Sequence, residues 1–197
     1  MIWLKTHYHW FLSFMVLLTA TIYFLIQNNK EFLIYAATLV VFIGILAVAD
    51  TKFRFLTTAK WGFLIWMIMH MAGGSIYVGS TRLYDLILIP IIGKPYNVLK
   101  YDQVVHFFCY VVFTPLMYSV LKSIARTRFN RLTFSFVLVM AASAIGGLNE
   151  IIEFSAVVMY DSTGVGGYTN TCIDLIANLM GAITGALLIQ PRLKNQS

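Results

Sequence analysis

Long apolar runs broken by short polar turns organise this chain. Trp10 to Ile26 carries no charge, and Phe32 to Ala49 is an unbroken apolar run. A helix needs about 20 such residues to cross about 30 Å of hydrocarbon. The same pattern continues to the C-terminus and predicts spans at about 8–26, 31–49, 57–77, 102–121, 132–159 and 171–189. The turns between them are marked by Gln27 to Lys30, by Asp50, Lys52, Arg54 and Lys60, by Lys122, Arg126, Arg128 and Arg131, and by Gly164, Gly166 and Gly167. Residues 79–101 form the one long connection. Its apolar stretch Leu86 to Ile92, around Pro90, is too short to span and predicts a re-entrant or interfacial segment at about 83–93. The expected fold is all-α: a polytopic transmembrane helix bundle of about six spans, with residues 1–197 as a single integral membrane domain.

Composition agrees. The 197 residues are 59% hydrophobic and only 11% charged, where a soluble domain carries about 25% charged residues. A net charge of +6 would suggest nucleic acid in a soluble protein. Here it reads as loop Lys and Arg facing anionic lipid, so membrane lipids are the expected partners and nucleic acid is not. Ten basic residues fall on one side: Lys5, three at 50–60, four at 122–131, Arg192 and Lys194. Four fall on the other: Lys30, Arg82, Lys94 and Lys100. Ten against four places both termini in the cytoplasm. The first apolar run is long for a signal peptide and no small-x-small cleavage site follows it, which predicts a retained span. Cys109 and Cys172 lie in or beside spans and predict no disulfide.

The polar exceptions change the picture most. Asp102, Glu150, Glu153 and Asp174, half of the eight acidic residues, fall inside predicted spans with His70 and His106. A carboxylate in hydrocarbon costs several kcal/mol unless it is paired, hydrated or bound to a cation, so such a group marks a working site by default. In the predicted topology all six lie towards the extracytoplasmic ends of their spans. Asp102 and His106 are spaced i,i+4, as are Asn149 with Glu153 and Asp174 with Asn178; Glu150 and Glu153 are i,i+3. Each pair therefore shares a helix face. Asn170 extends the last stripe by one turn. Gly146, Gly147 and the GxxxG pair Gly181 and Gly185 allow the helices to approach closely.

Three uses compete for this cluster. His70, Asp102, His106, Glu150, Glu153 and Asp174 could ligate a divalent metal ion, although the Glu-x-x-His signature of di-metal bundles is absent. Asp102, His106, Glu153 and Asp174 could do acid–base catalysis on a lipid or lipid-linked substrate. The same groups could carry protons or a metal ion as a transporter, or simply tie helices together in a structural or binding protein. Asn178 and Asn149 read as hydrogen-bonding support for the others. His7 and His9, beside Tyr8 and Trp10, read as part of an interfacial aromatic belt. Asp85 and Asp161 read as solvated loop residues. Gly164 to Gly167 forms a flexible loop beside the site. Soluble-enzyme motifs such as a phosphate loop or Gly-x-Ser-x-Gly are absent.

The strings Tyr101-Asp102-Gln103-Val104-Val105-His106-Phe107 and Asn149-Glu150-Ile151-Ile152-Glu153-Phe154 resemble the YjdF-like family of small bacterial inner-membrane proteins. So do Asp174-Leu175 with Asn178 and Gly181, and His70-Met71-Ala72-Gly73-Gly74. The resemblance covers about 65–185 and implies a multi-pass protein of the bacterial inner membrane. More distantly, the order Asp, His, Glu, Asp, Asn is similar to that of VanZ-like proteins, which implies chemistry at the outer leaflet or cell wall. The segment Gly166 to Cys172 departs from the YjdF-like pattern, where further acidic and Trp residues are expected.

Overall fold

The structure, a computed structural model, describes residues 2–125, 130–160 and 166–194. Six helices account for nearly all of it: α1 (Ile2–Ile26), α2 (Lys30–Phe53), α3 (Thr57–Ser75), α4 (Tyr101–Ile124), α5 (Arg131–Met159) and α6 (Tyr168–Lys194). All but α3 are long and apolar enough to cross a membrane. α3 is the exception because Lys60 and His70 lower its hydropathy. Its 19 residues still reach about 28 Å at 1.5 Å per residue, and it packs between α1 and α4.

Local chemistry sets the helix ends. The Asn29 side chain caps α2 by accepting from Phe32 N at 3.2 Å, and Asn130 caps α5 by accepting from Leu132 N at 2.8 Å. α2 stops at Arg54, which adopts a left-handed φ of 52°. At the start of α4, Gln103 Oε1 accepts from Leu99 N at 2.6 Å and Lys100 N at 2.9 Å. That side chain satisfies two amides at the turn into the helix, Leu99 having a left-handed φ of 76°.

α4 is the hub, packed on α3, α5 and above all α6. The α4–α6 contact is so close that only glycine fits. A Cβ at Gly181 would lie 2.2 Å from the Phe107 carbonyl oxygen, and one at Gly185 would lie 2.7 Å from Thr114 Cβ. The GxxxG spacing thus does what small residues do between membrane helices: it brings two backbones together.

Residues 77–100 hold two short antiparallel hairpins. β1 (Tyr77–Val78) pairs with β2 (Thr81–Arg82), a 3₁₀ turn covers Leu83–Asp85, and β3 (Ile87–Ile92) pairs with β4 (Val98–Lys100). All six residues of β3 are exposed, whereas Tyr84 in the preceding turn is buried against α3. The pairing of β3 satisfies backbone groups that an irregular loop would leave open.

At the end of the bundle away from the hairpins, two of the charges that mark the turn between α2 and α3 lie inside. Asp50 and Lys60 are buried and paired, Nζ to Oδ2 at 3.0 Å. Asp50 also accepts from Trp10 Nε1 at 2.9 Å and Phe55 N at 2.8 Å. His9 beside them is 3% exposed and packs edge-on against Trp61, so it belongs to the interior rather than to an interfacial belt. Asp161 and Gly164 lie outside the described residues, as do the side chains of Lys5 and His7.

Candidate functional site

The hairpin end of the bundle is built around His106, on the first turns of α4 and only 6% exposed. The i,i+4 spacing lays Asp102 over the same face, with Oδ1 3.4 Å from His106 Nε2. α5 delivers Glu153 Oε1 to 3.5 Å from Nε2 and Glu150 Oε1 to 3.5 Å from Nδ1. α6 delivers Asn178 Oδ1 to 3.1 Å from Nδ1. The tight α4–α6 seam brings Asp174, fully buried, into the same space. Potential ligand atoms of Asp102, His106 and Asp174 lie within 4.8 Å of one another, and so do those of His106, Glu150 and Glu153.

Amides orient the acids. Asn149 Nδ2 donates to Glu153 Oε1 at 2.8 Å. Asn170 Nδ2 donates to Asp102 Oδ2 at 3.3 Å and to Asp174 Oδ2, while its carbonyl accepts from Lys100 Nζ at 3.4 Å. Hydrogen-bonding capacity is left over. Asp174 Oδ1 is buried without a hydrogen-bond partner.

Five of the six predicted ligands therefore converge. His70 does not join either group. It is hydrogen-bonded through Nδ1 to the Tyr84 hydroxyl, stacks on Trp66 at 5.5 Å, and lies among Phe32 and Tyr35. Gly73 explains the placement: a Cβ there would lie 2.3 Å from the Tyr84 ring, which sits directly on that backbone. Burial pushes the Tyr84 phenol well above its usual range, so it remains a neutral hydroxyl facing His70.

Several residues here are invisible to span-by-span reading. Above the cluster, a polar chamber is lined by Glu31, Arg82, Tyr84, Lys100, Asp102 and Glu153, among others. Arg82 pairs with Glu31 at 3.4 Å and with Asp85 at 3.2 Å. Asp85 is thus a half-exposed ion-pair partner rather than a free loop residue. Glu31 and Arg82 sit at a helix start and in a hairpin, where charge is ordinary, and only tertiary structure carries them to the site.

A profile of the family described as "Predicted membrane protein (DUF2238)" matches residues 8–195. The chain belongs to that family. The YjdF-like resemblance is compatible with it, while nothing supports the VanZ-like one. No curated protein and no solved structure matches. Membership establishes a membrane protein and assigns no reaction, so the chemistry has to be read from the cluster itself.

The charge balance is the strongest statement the cluster makes. Four carboxylates face one imidazole in a buried space. Two like charges within 4.8 Å of each other repel by about 3 kcal/mol or more even at an effective dielectric of about 20. One imidazolium cannot offset four carboxylates. Beyond the Arg82 and Lys100 cations that line the adjoining chamber, the arrangement favours added positive charge, as bound protons or as a cation.

Proposed function

We propose that this DUF2238 protein is a membrane-embedded enzyme whose Asp/His/Glu cluster, near the extracytoplasmic face, holds a divalent cation and acts on a lipid or lipid-linked substrate. The observation that carries the reading is the convergence of four carboxylates on the single buried imidazole of His106. The hydrogen bonding of His106 supports it. Nδ1 faces the Asn178 carbonyl at 3.1 Å, as a ligating histidine donates its second nitrogen to an oxygen acceptor. That leaves Nε2 towards Asp102 and Glu153, while Asp102 and Asp174 form a second group with His106. One nitrogen and several carboxylate oxygens suit Mg²⁺, Mn²⁺ or Zn²⁺. Such an ion would polarise an ester or phosphoryl oxygen or activate a water.

A carrier of protons or metal ions fits less well. Towards the middle of the bundle the cleft beside Glu153 is walled by Leu39, Phe42, Phe113 and Ile145, and a transport path needs polar groups at successive depths. Metal content decides the matter. Protein purified in detergent without chelator is measured by ICP-MS beside His106→Ala and Glu153→Ala. About one divalent ion per chain, lost in both variants, is expected. A metal-free wild-type protein, or metal retained in both variants, refutes the reading.

A further inference from the structure

Two cavities meet at Glu153. The polar chamber lies towards the hairpins, and the second is an apolar cleft running from Glu153 and Asn149 towards the middle of the bundle. Tyr35, His70 and Glu153 line both, so the two adjoin across these three side chains. The floor of the cleft is Trp66 of α3 with Cys109 and Phe113 of α4. Its two rims belong to different helices: Thr38, Leu39 and Phe42 of α2 on one side, Ile145 and Ile152 of α5 on the other. α2 packs on α1 and α4, and α5 packs on α4 and α6, but α2 and α5 are not a packed pair. The bundle is therefore parted along this line, facing the hydrocarbon. The outward residues flanking the gap, Val41 and Ile45 on α2 and Leu148 and Ile151 on α5, are exposed and apolar, as lipid-facing surface should be. Thr38 adds no polarity, because its hydroxyl donates to the Ile34 carbonyl at 3.0 Å.

We propose that the α2–α5 cleft admits one hydrocarbon chain of a bilayer lipid sideways from the membrane, seating the lipid headgroup in the polar chamber beside Glu153. An apolar slot open to lipid and ending at a charged chamber has the two-part character of an amphiphile. Water would gain few hydrogen bonds on such walls, and a polar substrate from solution would have no use for them. This rests on the proposed function for its consequence, since it brings the headgroup linkage to the carboxylate cluster, but the cleft can be tested alone.

The protein is placed in nanodiscs of phosphatidylglycerol in which one acyl chain carries a mid-chain diazirine. After photolysis, labelled residues are mapped by mass spectrometry. Adducts are expected inside the cleft, on Leu39, Trp66 and Phe113, besides those on the exposed Val41 and Ile45. Ile145→Trp, which fills the rim from α5, should reduce the interior adducts at least five-fold and leave the exterior ones unchanged. Thr38→Phe does the same from α2 should the first variant fail to fold. Adducts confined to exterior residues in the wild type overturn the inference. So does their exclusion by a second copy of the chain, seen as a dimer cross-linked through Thr38 or Ile145. Metal content is read on the same samples. Interior adducts in a metal-free protein leave the lipid cleft standing and remove the metal site; metal without interior adducts does the reverse.

Discussion

Gly181→Ala tests whether the site depends on the closeness of α4 and α6. The new methyl carbon would lie 2.2 Å from the Phe107 carbonyl oxygen and 3.1 Å from Tyr110 Cβ. Ordinary contact begins at 3.4 Å, so the helices must part by about 3.4 − 2.2 = 1.2 Å. Backbone cannot rotate away as a side chain can, which puts the cost at the upper end of the ~1–3 kcal/mol of overpacking. Alanine returns about 1 kcal/mol of helix propensity, leaving a net loss of about 2 kcal/mol. At roughly 2–4 °C per kcal/mol for a chain of this size, Tm falls by about 4–8 °C. Gly147 is the internal control: nothing lies within 4 Å of its Cβ position, so Gly147→Ala should hold or raise Tm. The substitution also reaches the site. Asn178 is one turn from Gly181 and its 3.1 Å contact with His106 spans the same seam; widened by about an ångström, it is no longer a hydrogen bond. Gly181→Ala should therefore weaken divalent-ion binding as well as stability. Differential scanning fluorimetry in detergent, with ion titration by calorimetry, reads both. A Gly181→Ala protein as stable as Gly147→Ala, with unchanged ion affinity, refutes the reasoning.

Asp50→Leu alone strands the Lys60 ammonium and should cost about 3–5 kcal/mol, whereas Asp50→Leu with Lys60→Met should recover most of it; chemical or thermal unfolding of both variants checks this. Gln103→Ala removes the acceptor for the Leu99 and Lys100 amides and should cost about 1–2 kcal/mol, with increased hydrogen exchange at those two amides. A divalent ion at 100 times its dissociation constant should stabilise the wild type by about 2.7 kcal/mol, seen as a rise in Tm reversed by EDTA and missing in Asp174→Asn. Tyr84→Phe should leave metal content unchanged, since His70 is outside the cluster, and a loss of metal in that variant would place His70 among the ligands after all.

The helices and the polar stripes were legible because each is a local pattern. Apolar run length marks a span, and i,i+4 spacing marks a face. Asp102 with His106, and Asp174 with Asn178, are such faces, and Gly181 with Gly185 marks the seam that joins them. His70 misled because burial depth alone does not say which neighbour a ring meets; Tyr84, held against Gly73, takes it. Lys60 and Asp50 misled for a related reason. Charges near a predicted turn are ordinarily solvated, and only the packing of α1 against α2 and α3 turns these two inward. The hairpins escaped because β3 is apolar on both faces and shows no alternation to distinguish a strand from a short helix.

The two buried charge clusters at the ends of the bundle separate a structural role from a binding role by the same measure. At the far end one carboxylate meets one ammonium. Both oxygens of Asp50 are engaged, by Trp10, Lys60 and the Phe55 amide, so the group is spent on holding α1, α2 and α3 together. His9 nearby has no hydrogen-bond partner, but an imidazole packed on Trp61 bears that at modest cost. At the hairpin end the ratio is four carboxylates to one imidazole, and Asp174 keeps a buried oxygen without a hydrogen-bond partner. A carboxylate oxygen with nothing to accept is far more costly in a buried site than a bare imidazole. Closing the α4–α6 seam over Asp174 raises that cost further, because it removes the water that would otherwise relieve it. Packing that stabilises the bundle thus sharpens the demand for a cation at its polar end, and the glycines at 181 and 185 serve fold and site through one contact.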